Sequence, residues 1–201
     1  LSVLHDCAAP VKMEGGGYLV YNKDGRYYRF DNNSAAAVLC NYRKPEVVEN
    51  FPHRVSGWKN PTYSPDSTRI AYTLNNDLYS MEVATGRVTR HTYDGSDVIL
   101  NGYASWVYFE EILGRASKYK AFWWSPDSRI IAYYRFDNSR VPVFPIYNAT
   151  GQHGSVNNTR YPKAGDANPK VKVGFVSVSG GETVWADFDP LRDQYFGIPF
   201  W

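Results

Sequence analysis

The chain has 201 residues, enough for one good-sized domain or two small ones; 43% are hydrophobic and 21% charged, an ordinary globular balance. A net charge of only +2, with no basic block beyond the two lysines of "PKVKV" (Pro169 to Val173), argues against nucleic-acid binding, which needs a basic stripe. No run approaches the roughly 18 apolar residues of a membrane-spanning helix.

Aromatic residues make up 16% of the chain, 17 of them Tyr and 6 Trp. Flat rings pack well on pleated surfaces, so this composition, punctuated by Gly and Pro, points to β-structure. The chain opens on Leu1 with no signal peptide, and we expect a trimmed or mature fragment.

Taken in order, "YLVYNKDGRYYRFDNNS" (Tyr18 to Ser34) reads as a hairpin turning at Lys23-Asp24-Gly25. Cys7 and Cys40 are too few for a disulfide framework. Free buried thiols are the simpler reading, and pairing is the alternative if the protein is exported. The histidines (His5, His53, His91, His153) have no metal-ligand spacing, so neither a metal nor another cofactor is expected.

"NPTYSPDSTRIAYTLNNDLYSMEV" (Asn60 to Val83) reads as strand, turn, strand, turn, strand. Its opening recurs in "AFWWSPDSRIIAYYRF" (Ala121 to Phe136), with Ser64 and Ser125 at equivalent positions 61 residues apart. Ser-Pro-Asp-Ser is turn chemistry: Pro presets φ, and Asp or Ser side chains bond the nearby backbone. Further turns fall at "NND" (Asn75 to Asp77), "ATG" (Ala84 to Gly86) and "YDG" (Tyr93 to Gly95).

Short strands in such a repeat indicate an all-β fold of β-propeller blades, here about three to four and too few to close a ring. The 61-residue spacing exceeds a usual blade of about 40 to 50 residues. The excess falls on "SWVYFEEILG" (Ser105 to Gly114), a short helical insertion carrying Glu110 and Glu111. Adjacent acids usually face solvent, and neighbouring helical positions diverge by about 100°, so joint use of both needs a particular backbone. In apolar company the alternative is a cation site, since desolvated like charges need a partner. Beyond lie an excursion, "NSRVPVFPIYNATGQHGSVNNTRYPKAG" (Asn138 to Gly165), and "DQYFGIPFW", which reads as the opening strand of another blade.

Three motifs, "WVYFEEI" (Trp106 to Ile112), "AFWWSPDSRIIAYYRFDNSRVP" (Ala121 to Pro142) and "YPKAGDANPKVKV" (Tyr161 to Val173), occur in this order. Together they closely resemble the N-terminal β-propeller domain of dipeptidyl peptidase IV-like serine exopeptidases, in the prolyl oligopeptidase clan. The resemblance is firm over residues 60–173 and fainter on both sides. It implies that residues 1–201 are a partial propeller of a two-part hydrolase, in which an α/β-hydrolase domain outside this chain supplies the catalytic triad.

Such enzymes release Xaa-Pro or Xaa-Ala dipeptides from free peptide N-termini, and the family's paired glutamates hold the substrate's α-ammonium. Glu110 and Glu111 stand at that motif. No Gly-x-Ser-x-Gly nucleophile elbow occurs in this chain, so we expect no catalytic residue here and no hydrolysis by the fragment alone. The family's pocket arginine has no clear counterpart. Arg29 and Arg43 stand outside its usual context and read better as surface ion pairs or strand-edge charges.

The resemblance further implies a homodimer built through the 138–165 arm and a periplasmic, secreted or cell-surface location. Asn32, Asn148 and Asn157 match glycosylation sequons, though the sequence style otherwise reads as bacterial. The alternatives are a stand-alone periplasmic interaction propeller and the propeller of a tripeptidyl-releasing relative.

Overall fold

A computed structural model describes residues 55–201 in full and, ahead of them, the backbone of four strands, residues 11–12, 17–21, 27–31 and 37–40. These are β1 (Val11–Lys12), β2 (Gly17–Tyr21), β3 (Tyr27–Asp31) and β4 (Ala37–Cys40), an antiparallel sheet in chain order. Tyr21 faces Tyr27, so the first expected hairpin is present. Its turn lies outside the described residues, as do Cys7, Asn32, Arg43 and the side chains of Arg29 and Cys40.

The chain divides into two compact units, one running to Lys44 and one over Pro45–Phe200. The second unit opens with another four-stranded antiparallel sheet in chain order: β5 (Lys59–Tyr63), β6 (Arg69–Leu74), β7 (Asp77–Glu82) and β8 (Val88–Arg90). Ser64 builds its first turn: the hydroxyl donates to Asp66 at 2.6 Å and accepts the Arg69 N–H at 3.0 Å. Asp66 accepts the Thr68 N–H at 3.0 Å. Asn75 and Asn76 then take φ of 50° and 64°, the two positive values a two-residue hairpin of right-handed twist requires.

In the third sheet the same turn recurs atom for atom, with Ser125 donating to Asp127 at 2.6 Å and accepting the Ile130 N–H at 2.9 Å. It joins β10 (Phe122–Trp124) to β11 (Ile130–Asp137); β14 (Lys170–Ser177) and β15 (Val184–Trp185) complete the sheet. A further strand, β9 (Ile99–Asn101), also pairs with β11, on the stretch that β10 leaves free. Asn101 faces Arg135, so uninterrupted pairing would set Tyr103 opposite Tyr133; Phe122 stands there instead, 19 positions later. β9 and β10 are therefore halves of one strand with 19 residues let into it. Taking those 19 from the 61-residue repeat leaves 42, a normal blade length.

The core between these two sheets is made by Ala71 and Leu78 from one and Phe122, Trp124, Ile131, Tyr133, Val176 and Val178 from the other. Polar bonds cross the same boundary: the Trp124 indole N–H donates to the Thr62 carbonyl at 3.1 Å, and the Asp66 N–H to the Ser128 hydroxyl at 3.1 Å. Asp77, 2% exposed, receives the Thr92 hydroxyl at 2.7 Å and the Arg90 guanidinium at 2.6 Å. It also takes the Asn101 amide at 3.2 Å, which binds β7 to β9.

The long excursion is an ordered hairpin of β12 (Val143–Asn148) and β13 (Ser155–Arg160), exposing Val143, Tyr147 and Val156. Arg160 closes its base by donating to the Val141 carbonyl at 2.7 Å. The strand expected at the C-terminal end is absent: after β15 the described residues form no regular element. A strand needs a ladder partner, and the described sheets offer this segment none.

His91, 4% exposed, bonds the Ser80 hydroxyl through Nε2 at 2.8 Å. Burial, with a smaller push from Arg69, brings its pKa down to about 4. Above pH ~6.5 the ring is neutral folded or unfolded. As pH falls from there, the unfolded chain takes up a proton that the fold excludes, so stability declines, by about 3 kcal/mol once pH reaches about 4. Urea unfolding of the chain at pH 7 and pH 4.5 should show most of this loss, and His91→Gln should flatten the slope in that window.

Candidate functional site: an acidic π-helical turn

The insertion leaves the sheet as a short ladder. The Gly102 N–H donates to the Tyr134 carbonyl at 2.9 Å, and the Tyr134 N–H to the Ala121 carbonyl at 2.9 Å, so the residue opposite the gap keeps both bonds. Tyr103 pairs with Lys120, and the Ala104 N–H donates to the Tyr119 carbonyl at 2.8 Å. Gly102 has φ of 70°, and a Cβ there would press on Thr73, Leu78 and Phe122 at 3.2–3.4 Å. A side chain at this position would be strained by the positive φ and would need its neighbours to give way.

The helical part begins at Trp106, with the Phe109 N–H bonded to the Ser105 carbonyl at 2.9 Å. It widens into a π turn over Tyr108–Ile112, closed by the Leu113 N–H on the Tyr108 carbonyl at 2.7 Å, five residues back. Such wide turns are rare and concentrate at functional sites. More residues per turn also means less angular divergence between neighbours, the backbone two adjacent acids need to serve one cation.

Tyr108 fixes the turn from below: fully buried, its ring packs edge-on against Phe136 at 4.8 Å and Tyr134 at 6.1 Å. Its hydroxyl accepts the Phe196 N–H at 3.0 Å, and burial pushes its pKa up to about 12.

Both predicted site residues lie on this turn. Glu110 is half-buried and paired with Arg115, from the 3-10 turn Arg115–Ser117 that follows Gly114. The Arg115 side chain is 68% exposed, and exposed ion pairs contribute only about 0–1 kcal/mol, so another cation can displace it. Glu111 is exposed, and among the described residues no cation pairs with it. Phe109, between Tyr108 and Glu110, stacks on Tyr119 with centroids 3.8 Å apart. Burial, with the nearby Glu110 charge, raises the Tyr119 pKa. The turn thus offers two carboxylates, one weakly engaged and one unengaged, beside a stacked aromatic wall. Two such acceptors suit an ammonium with three donors.

The three sequence motifs meet here. Trp106 of the first lies 6.1 Å, edge-on, from Tyr161 of the third, and the second supplies β10 and β11 beneath. Sequence reasoning missed Gly102, Arg115 and Tyr119. Only Gly102 left a readable sign, the Asn101-Gly102 pair that marks a backbone reversal. Among the described residues no three His, Cys, Asp or Glu side chains gather as metal ligands would.

Blade-type antiparallel sheets in chain order, one with an acidic turn let into a strand, define a β-propeller-type segment. The chain belongs to the family described as the dipeptidyl peptidase IV (DPP IV) N-terminal region, whose model matches residues 15–198. It is 39% identical over 161 residues to prolyl endopeptidase FAP of Mus musculus, covering 79% of this chain and 19% of that protein. It is 38% identical over 122 residues to dipeptidyl peptidase 4 of Bos taurus, covering 59% of this chain and 16% of that one. The crystal structure of Porphyromonas gingivalis dipeptidyl peptidase 4 matches with a TM-score of 0.55 at 21% identity, over 92% of this chain and 24% of that chain; this likeness concerns the fold alone. The chain thus spans between a sixth and a quarter of these relatives' lengths.

The site's two anchors should respond unequally to mutation. Tyr108→Ala should lower stability by about 3–5 kcal/mol through the cavity it opens, whereas Arg115→Gln should change it by less than about 1 kcal/mol. Chemical denaturation of the two variants beside the parent chain measures both.

Proposed function

We propose that this chain is the substrate-recognising propeller part of a serine-type dipeptidyl peptidase, and that Glu110 and Glu111 bind the α-ammonium of the peptide's N-terminus. The observation that supports this is the acidic π turn, where Glu110 is held only by an exposed arginine and Glu111 is unpaired among the described residues. Charge-assisted bonds to a desolvated ammonium are worth about 1.5–3 kcal/mol each, enough to favour a free amine over a continuing chain. Anchoring the amine also sets the register, placing the scissile bond two residues along; this is catalysis by positioning.

In this reading the bond chemistry belongs to a C-terminal α/β-hydrolase domain of the same protein, and residues 1–201 alone hydrolyse nothing. The β12–β13 hairpin, with its exposed Val143, Tyr147 and Val156, is the arm through which two copies would associate. An N-terminus-trimming peptidase of this kind would work in the periplasm, at the cell surface or after secretion.

One relative is named an endopeptidase, so the exopeptidase reading needs its own test. Glu110→Ala or Glu111→Ala in the full-length protein should cut kcat/KM for free-amine Xaa-Pro substrates by roughly tenfold or more, about 1.4 kcal/mol. N-acetylated substrates, which have no ammonium, should be poor and insensitive to either change. Equal turnover of acetylated and free peptides would overturn the amine anchor. Product analysis on peptides with Pro at the second or third position separates dipeptide from tripeptide release. Purified residues 1–201 should release no product from either peptide.

A further inference from the structure

The return limb of the insertion rests on β5, at a point where β5 itself is irregular. Lys59 faces Thr73 and Thr62 faces Ala71, so Asn60 and Pro61 stand as two residues against one. Asn60 takes φ of 54°, a conformation few residues other than glycine adopt readily but one Asn tolerates. Pro61, lacking an N–H, suits a bulge in a ladder.

Moved along by the 61-residue repeat, Thr73 falls on Tyr134, the residue opposite the gap between β9 and β10. One sheet has a bulge, then, where its sister has the insertion, and the two irregularities touch. The Asn60 side-chain amide donates to the Lys118 carbonyl at 3.0 Å, across 58 residues of sequence.

Lys118 and Tyr119 are the two consecutive non-glycine residues by which the insertion turns home, at φ of 50° and 68°. Strained pairs of this kind persist only where surrounding structure holds them. Lys59 adds a second hold, its ammonium 4.4 Å from the centre of the Tyr103 ring. Tyr103 stacks on Tyr119 at 5.0 Å, and Tyr119 on Phe109 at 3.8 Å. Phe109 immediately precedes Glu110, so an unbroken series of contacts runs from the bulge to the carboxylates.

We infer that Asn60 is a positioning residue for Glu110 and Glu111: the β5 bulge clamps the return limb of the insertion and so sets where the two carboxylates meet the substrate's ammonium. This rests on the amine-anchor reading above. Asn60 could serve its own backbone conformation alone, and two substitutions separate that role from the clamp. Asn60→Gly keeps the positive φ and removes the amide. Asn60→Asp keeps the shape and sets an acceptor, in place of a donor, against the Lys118 carbonyl.

In the full-length protein both should raise KM for a free-amine Xaa-Pro substrate by roughly threefold or more, with kcat within about twofold and the melting temperature unchanged. Unchanged KM in both variants overturns the inference. So does a KM rise that appears only alongside a lowered melting temperature, since that marks a merely structural bond. Glu111→Gln is measured in parallel. If it raises KM and the Asn60 variants do not, only the clamp fails; if it leaves KM unmoved, the amine anchor fails and the clamp with it.

Discussion

The insertion depends on one residue keeping its hydrogen bonds. Tyr134 sits opposite the place where 19 residues leave the ladder, and an unpaired buried peptide group there would cost about 1–3 kcal/mol. The Gly102 N–H and the Ala121 carbonyl satisfy it from the two sides of the gap. Because that closure is complete, β9 and β10 act as one strand, the core between the sheets is undisturbed, and the loop can leave without unravelling the blade. Gly102 is the point of departure, where the positive φ and the closeness of Thr73, Leu78 and Phe122 would strain any side chain.

The acidic turn then depends on aromatic packing more than on charge. Tyr108 below, Phe109 and Tyr119 beside and Trp106 against Tyr161 hold the backbone. The ion pair that the turn makes among the described residues, Glu110 with Arg115, lies at the surface and is easily exchanged. Rigid apolar support with weakly committed carboxylates is the arrangement on which the proposed amine-binding role rests: geometry made in advance, and little to displace on binding.

The sequence made the turns legible because their chemistry is local. Ser64-Pro65-Asp66 and Ser125-Pro126-Asp127 bond their own backbone within a few residues, as does the hairpin at Asn75 and Asn76. Glu110 and Glu111 were legible through the motif around them, and the excess repeat length pointed to the same segment. The π turn was not, since a five-residue hydrogen-bond step leaves no distinctive apolar period in so short a stretch. Nor was the seat on β5, because Asn60 and Lys118 meet across 58 residues. The C-terminal segment "DQYFGIPFW" has the residues of a strand but forms none among the described residues, because a strand is completed by a partner that its own sequence does not name.

The continuous register across the gap has a consequence for how the excursion itself can vary. With both ends tied to Tyr134, the loop can gain or lose residues without shifting any rung of the ladder. Its exposed part can vary in length apart from that register, while the side chains it buries on the sheet, Tyr108 above all, stay tied to the core. A single excursion could thus be edited in sequence while the ladder it leaves kept its register.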